Sequence, residues 1–485
     1  MSDTELAATG MDGGLVSAGL SERVVTRNFL TIGSGEVVAR ILAFVASVYL
    51  ARVLGAEVYG AIAFATAILL YFSRVADGGL DLIGTREVAR NHAEASRIAG
   101  PLIAFRLAAS ALLTLLLAAG AFVWLPRRDA LVLAVFALTL VTIGASTRWV
   151  HLGLEKTERA SFSRVLGELL GLALILLLVR SSDDFLIVPL AHLAAGSLTA
   201  ALLAWWLRGL GVHLGLRWNW AVVRPLLLRS YPVVLAALLG LLVYNSDLIM
   251  LRAFRGARTA GYYAAAYTPI SLAISVGLAY RMSLLPALTR LGVAGGQREL
   301  YQTALAHVFA VVLPAAIGGW ILAPQVVALV FGQEYMPAAA VLQLLIWAIP
   351  LSQLREAPVA ALVSHAHEHR LLHLNAMGTV LNIGMNLVLI PRYGMMGAAI
   401  STVVTEGART ALAFVFAHGA GFPFASGRRF WRVAVAGLAM AGLLFTLRSH
   451  GLWAAATLGV LGYLTTLLAL GGIRIRRGAW PSLNV

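Results

Sequence analysis

The sequence predicts an all-α, polytopic membrane protein of about fourteen transmembrane helices. Three observations carry this. Of 485 residues, 60% are hydrophobic and only 12% are charged, about half of the ~25% charge found in soluble domains. Apolar runs close to the ~20 residues that cross a bilayer follow one another along the whole chain. The basic residues between them fall mainly on alternate connections, as in proteins whose orientation is fixed by positive charge.

Met1–Gly19 is small and polar, without the basic start and apolar core of a signal peptide. It is expected to be a disordered cytosolic tail, with Ser21 as a cap of the first helix. Spans are expected at about Phe29–Leu50, Val58–Leu82, Ala99–Trp124, Ala130–Val150, Phe162–Val179, Phe185–Leu207, Ser230–Leu251, Tyr262–Leu285, Leu300–Leu322, Pro337–Val363, Leu371–Ile390, Met395–His418, Phe430–Leu447 and Leu452–Leu470. The longest connection, Gly209–Arg229, holds Trp218 and Trp220, suited to the membrane interface. Lys and Arg on alternate connections number 22 against 9. This puts both termini in the cytosol and requires an even number of spans.

Two pairs of segments match across the halves. Gly55-Ala56…Tyr59-Gly60 follows the first span and Gly256-Ala257…Ala260-Gly261 the seventh. Glu158-Arg159 with Gly167 matches His369-Arg370 with Gly378 on the fifth and eleventh. Six spans separate each pair, so the copies keep one orientation. Two six-helix lobes in parallel repeat, plus two extra helices, are expected, an architecture of transporters. The organisation is then a cytosolic tail over 1–27, an N-lobe over 28–215, a C-lobe over 216–425 and two further helices over 426–485. Gly167-x-x-x-Gly171 reads as a helix-packing motif.

Ionisable residues inside spans are costly in lipid and normally face protein or water. At 1.5 Å per residue, Glu36, Arg40, Arg74, Asp77, Arg106, Glu168, Arg281, His307 and Arg355 fall in one layer, roughly 10 Å inside the cytosolic boundary. Asp247 is comparably deep from the opposite side. Glu36 with Arg40 is spaced i,i+4, and Arg74 with Asp77 and Glu406 with Arg409 are spaced i,i+3, so each can pair within its helix. The candidate cavity residues are Arg40, Arg74, Arg106, Arg281, Glu36, Asp77 and Asp247. Arginine forks in such a layer suit phosphate oxygens. The alternative is that the long side chains reach out to the headgroups.

Other chemistry is excluded or weak. There is no cysteine, so disulfides and thiolate metal sites are ruled out. The +15 net charge would suggest nucleic acid in a soluble protein, but here it lies in short connections, and no nucleic-acid partner is expected. No GxxxxGK[ST] or GxGxxG phosphate loop occurs. His365, His369 and His373 have i,i+4 spacing but read as a solvated run. Asp183-Asp184 sits in a connection of a few residues. No metal, cofactor or enzyme activity is expected.

Leu50-Ala51-Arg52-Val53-Leu54-Gly55-Ala56-Glu57-Val58-Tyr59-Gly60 resembles the LGxxxYG turn of the polysaccharide flippases. Asp77-x-Gly79-Leu80 and Thr85-Arg86-Glu87-Val88-Ala89-Arg90 resemble that family's next segment, and Asn386–Pro391 with Gly394-x-x-Gly397-Ala398-Ala399-Ile400-Ser401-Thr402 its later signature. These are the Wzx-like members of the multidrug/oligosaccharidyl-lipid/polysaccharide exporter superfamily. The resemblance implies two six-helix bundles around a central cavity. It also implies a flippase of polyprenyl-pyrophosphate-linked oligosaccharide, working from the inner to the outer leaflet of the cell membrane. Membrane lipid and the lipid-linked glycan are the expected partners, with a polysaccharide polymerase or glycosyltransferases beside them, and the chain is expected to be monomeric. The other reading on the same fold is an ion-coupled exporter of small cationic drugs, which would want Glu36, Asp77 and Asp247.

Overall fold

Glycines set the breaks in the first helical run. The computed structural model describes residues 33–472 apart from 278–279, 292–294, 366, 368, 425–426 and 428–429. The expected tail over 1–27 with its Ser21 cap, and Arg474, Arg476 and Arg477, lie outside the described residues. Gly33–Arg90 is 58 residues long, roughly 87 Å if straight, against a hydrocarbon layer of about 30 Å. It turns at Gly55, with φ 73° and ψ 166°, and again at Gly78 and Gly79, with φ 61° and 70°. Positive φ is open to glycine at little steric cost. The run therefore makes two crossings and then a short helix, Leu80–Arg90.

Further candidate spans are His92–Trp124, Arg127–Gly153, Thr157–Leu178, Ser182–Arg208, Trp220–Arg255, Ala257–Leu291, Gln297–Val330, Pro337–Ser364, His369–Tyr393, Met395–Gly419, Phe430–His450 and Leu452–Ala469. With the two crossings of the first run this makes fourteen, numbered here in chain order. Several helices exceed the expected bounds. Trp220–Arg229, expected in a connection, is helical and continues into span 7. On span 3, Leu112, Leu115, Leu116, Phe122 and Val123 are all exposed. Such an apolar face is at home in lipid.

The chain forms two compact units. The first comprises residues up to Ala46, Phe72–Val179 and Leu186–Val234. Its apolar core gathers Leu80, Val88, Leu102, Trp149, Val150, Leu207 and Val212. Trp149 fills the space that Gly84 leaves, where a β-carbon would stand 2.6 Å from the indole. Gly167 packs against Ala195 and Thr199 of span 6, and Gly171 against Ala195, which is close helix packing through small residues.

The second unit comprises Ser47–Tyr71, Arg180–Phe185 and Leu235 onward. Here the two Gly-Ala turns meet. Gly55 and Gly256 share one backbone conformation, the latter with φ 86° and ψ 173°. A side chain on Gly60 would overlap the carbonyl of Ala257, and one on Gly261 would overlap the carbonyl of Ala56. The contact is reciprocal. The second matched pair behaves alike within each unit. Arg159 donates to the Trp206 carbonyl at the end of span 6, at 3.2 Å, and Arg370 to the Phe416 carbonyl near the end of span 12, at 2.7 Å. Each arginine adds a donor to a carbonyl in the last turn of a helix. The fold is all-α with parallel internal repeats.

Spans 13 and 14 pack on span 9. The Tyr463 hydroxyl donates to the Ala310 carbonyl at 2.7 Å, and Met440 and Leu444 join Ile317 and Ile321 in one apolar cluster. Trp453 is 75% exposed, away from that cluster.

Candidate functional site

In the first unit the charges gather where helices break. Span 4 is interrupted between Ala145 and Arg148, at Ser146-Thr147. The first run, Gly33–Arg90, is interrupted at Gly78-Gly79. Breaks of this kind leave carbonyls and amides without helical partners, and inside a membrane they persist only where protein or water satisfies them. Arg106, fully buried on span 3, joins the two breaks. It donates to the Ile143 carbonyl at 2.9 Å and the Ser146 carbonyl at 3.4 Å. It also pairs with Asp81 at 2.7 Å and Asp77 at 3.3 Å. Asp77 accepts from the amides of Gly79 and Asp81, starting the short helix.

This differs from the i,i+3 pair expected of Arg74 and Asp77. The helix ends at Asp77, and the carboxylate turns toward Arg106 and the amides beyond the break. Arg74 is exposed, with no ion pair among the described residues. Arg40 is 42% exposed and bonds Glu36 at 3.1 Å. Of the early arginines it is Arg106, not Arg40, that is buried. Glu36 also holds Arg164 of span 5 at 3.3 Å. Gly35 permits this approach, since a β-carbon there would stand 2.8 Å from Ser161 Cβ. Arg148, just past the break, has a buried Nε without a hydrogen-bond partner.

In the second unit a charged group forms that residue spacing shows only in part, as the Glu406–Arg409 pair. Arg355 and Arg409, both buried, flank the buried Glu406. Arg355 pairs with one carboxylate oxygen, and Arg409 with the other at 2.6 Å. The Tyr244 hydroxyl accepts from Arg355 at 3.0 Å and from Arg409 at 2.9 Å, and Arg409 also donates to Asn375 at 2.8 Å. Gly378 leaves room for the Arg409 stem, 2.5 Å from where a β-carbon would be. Such a group is held by mutual satisfaction; removing one member strands the rest. Arg281 pairs with Glu356 at 3.1 Å.

Asp247 is buried. It accepts from the Tyr263 hydroxyl, from Thr402 at 3.4 Å and from the Leu248 amide at 2.8 Å. It has no ion-pair partner among the described residues. Ser246 and Asn386 both donate to Asn382 beside it, at 3.1 and 2.9 Å. Thr402, from the Gly-Ala-Ala-Ile-Ser-Thr segment, thus touches a buried carboxylate.

Two residues noted earlier stay apart from these groups. His373 bonds the His369 carbonyl, and no cluster of three metal-ligating side chains occurs among the described residues. Asp184 accepts from the amides of Arg180 and Ser181, each at 2.9 Å, and so closes its own turn.

The model of the family described as "Polysaccharide biosynthesis protein" matches residues 25–292, more than half of the chain. No curated protein matches. Among solved structures, the fold is shared with a lipid II flippase, MurJ, in an inward closed conformation: TM-score 0.72, 12% identity, 90% of this chain and 98% of that one. An inward-facing multidrug resistance MATE family transporter of the MOP superfamily gives a TM-score of 0.66 at 16% identity, over 79% of this chain and 94% of that one. A MOP superfamily transporter from Pyrococcus furiosus, described by the reverse polarity of its binding pocket, gives 0.56 at 17%, over 82% and 95%.

Proposed function

Since the chain belongs to the family of polysaccharide biosynthesis proteins, we propose that it is a flippase. It moves polyprenyl-pyrophosphate-linked oligosaccharide from the inner to the outer leaflet of the cytoplasmic membrane, for cell-surface polysaccharide. The supporting observation is the gathering of Arg40, Arg106, Arg148 and Arg164 on spans 1, 3, 4 and 5 of one unit, beside two helix breaks. A lipid-linked sugar pyrophosphate is a large anion made on the cytosolic side. Loop charge orients this layer toward that side, with both termini cytosolic.

The arginines are mostly engaged by carboxylates, so loading is an exchange. The same exchange is open in each unit, at Arg40 held by Glu36 and at Arg281 held by Glu356, through charge-assisted bonds to phosphate oxygens. Alternating access of an N-lobe and a C-lobe then carries headgroup and glycan across, while the polyprenyl tail remains in lipid. A polysaccharide polymerase or glycosyltransferases would take up and supply the substrate.

Asp247 favours a second reading, an ion-coupled exporter of small cations. A buried carboxylate without a cationic partner is where a coupling ion or proton would be held. The two readings rank variants oppositely. For the flippase, Arg40→Ala and Arg281→Ala each reduce surface glycan and accumulate lipid-linked intermediate at matched expression, while Arg40→Lys is partial because it keeps charge and loses the fork. For the exporter, Glu36, Asp77 and Asp247 variants lose transport and Arg40→Ala is mild. Normal glycan export by both alanine variants removes the anion-site reading.

A further inference from the structure

We propose that Arg148, with Arg164 near it, is a second phosphate-binding contact of the first unit, in addition to Arg40. This rests on the flippase reading for the identity of the substrate, and on the unpartnered guanidinium beside a helix break for the residue. Arg148 differs from Arg106 and Arg164 of the unit in its whole guanidinium, not in Nε alone, since their Nε atoms are likewise buried without a hydrogen bond. Arg106 has two carboxylates and two carbonyls. Arg148 has neither an ion pair nor a guanidinium hydrogen bond among the described residues, and its Nε is buried. It is half-buried, within electrostatic reach of Arg164, Glu36 and Asp81.

A half-buried guanidinium that keeps its terminal donors free can take up an anion at little cost in broken contacts. Here the nearest carboxylates are held elsewhere, Asp81 by Arg106 and Glu36 by Arg40 and Arg164. Two further features make the place a receptor. The helix break at Ser146-Thr147 sets Arg148 at the start of its segment, and Ser146 Oγ accepts the Arg148 amide at 3.4 Å, fixing the backbone. Arg164 stands 3.3 Å from Glu36 at Nε, an ion-pair contact, and its guanidinium carries other donors besides. Two neighbouring forks match the several oxygens of a phosphoryl group. Glu36 is the internal competitor for the second fork.

The ligand chemistry is a phosphate-type anion, from either a lipid-linked pyrophosphate or an anionic phospholipid headgroup. The test uses the purified full chain in phosphatidylcholine nanodiscs, titrated calorimetrically with inorganic pyrophosphate at low salt. Wild type should bind. Arg148→Gln should weaken binding at least tenfold, Arg148→Lys should be intermediate, and Glu36→Gln should tighten binding by freeing Arg164. Should Arg148→Gln not fold, Arg148→Lys and Glu36→Gln still read the site in opposite directions. Added phosphatidylglycerol that competes with pyrophosphate assigns the site to a lipid headgroup; no competition assigns it to the pyrophosphate moiety. Both results keep Arg148 as a contact. Absence of wild-type binding, or a folded Arg148→Gln that binds like wild type, overturns it. Glycan export in cells is scored separately. If export is independent of the protein while binding follows Arg148, the flippase reading alone falls; if export holds and binding ignores Arg148, this site alone falls.

Discussion

Arg106 serves four acceptors with one guanidinium, and they come from both helix breaks. Removing it takes the cationic partner from Asp77 and Asp81 and a donor from the Ile143 and Ser146 carbonyls. Arg106→Ala should therefore cost about 3–5 kcal/mol of stability, read as a large fall in apparent melting temperature. Arg106→Lys should recover little of it, since an ammonium cannot span the same acceptors. An Arg106→Ala protein that is fully stable yet inactive would instead place this residue in contact with substrate. The sequence made the Glu36–Arg40 pair legible because both lie one turn apart on one helix. The partner of Asp77 was not legible, because Arg106 comes from another helix and the choice over Arg74 depends on the turn at Gly78-Gly79. Arg148 counted as a loop charge for a similar reason: hydropathy does not register an interruption as short as Ser146-Thr147.

At the scale of elements, glycines decide how closely helices approach. Gly60 and Gly261 each occupy space that a side chain would take from a carbonyl. Gly60→Ala and Gly261→Ala should each destabilise by about 1–3 kcal/mol, as overpacked sites do. Gly384, inside span 11 with open space where a side chain would project, supplies the control. Gly384→Ala should be neutral or stabilising, by about 0.5–1 kcal/mol from helix propensity. Thermal unfolding of the three purified variants checks the ranking, and equal effects at all three would show that the reciprocal contact is loose. The matching Gly-Ala turns were visible in sequence. Their mutual contact was not, since similarity of two segments does not say that they touch.

For the molecule as a whole, composition was sufficient to set the class. A chain with 60% hydrophobic residues spread along its length has few solutions outside lipid. The count of fourteen followed from spacing, even though the first two spans form one helical run broken at Gly55. Helix lengths followed less well, because turns beyond the hydrocarbon, such as Trp220–Arg229, carry polar residues and leave no hydropathy signal. Orientation is open to a direct check, because the absence of cysteine gives a clean background. Ser182→Cys should react with an impermeant thiol reagent in intact cells, and Ser482→Cys only after permeabilisation. The reverse pattern would invert the orientation argued from loop charge.

The reciprocal glycine contact also bears on ancestry. A gene encoding half this chain would produce one Gly-Ala turn per copy. Two such products could meet turn to turn, Gly60 against Ala257 in present numbering and Gly261 against Ala56, each copy offering the same patch to the other. That is the geometry of an isologous homodimer. Fusion of two tandem genes would have kept the old dimer contact as an internal one and released the copies from having to be identical. Such a release would leave the charges free to differ, as they do: Arg106 pairs with Asp77 and Asp81 in one unit, and Arg355 and Arg409 flank Glu406 in the other.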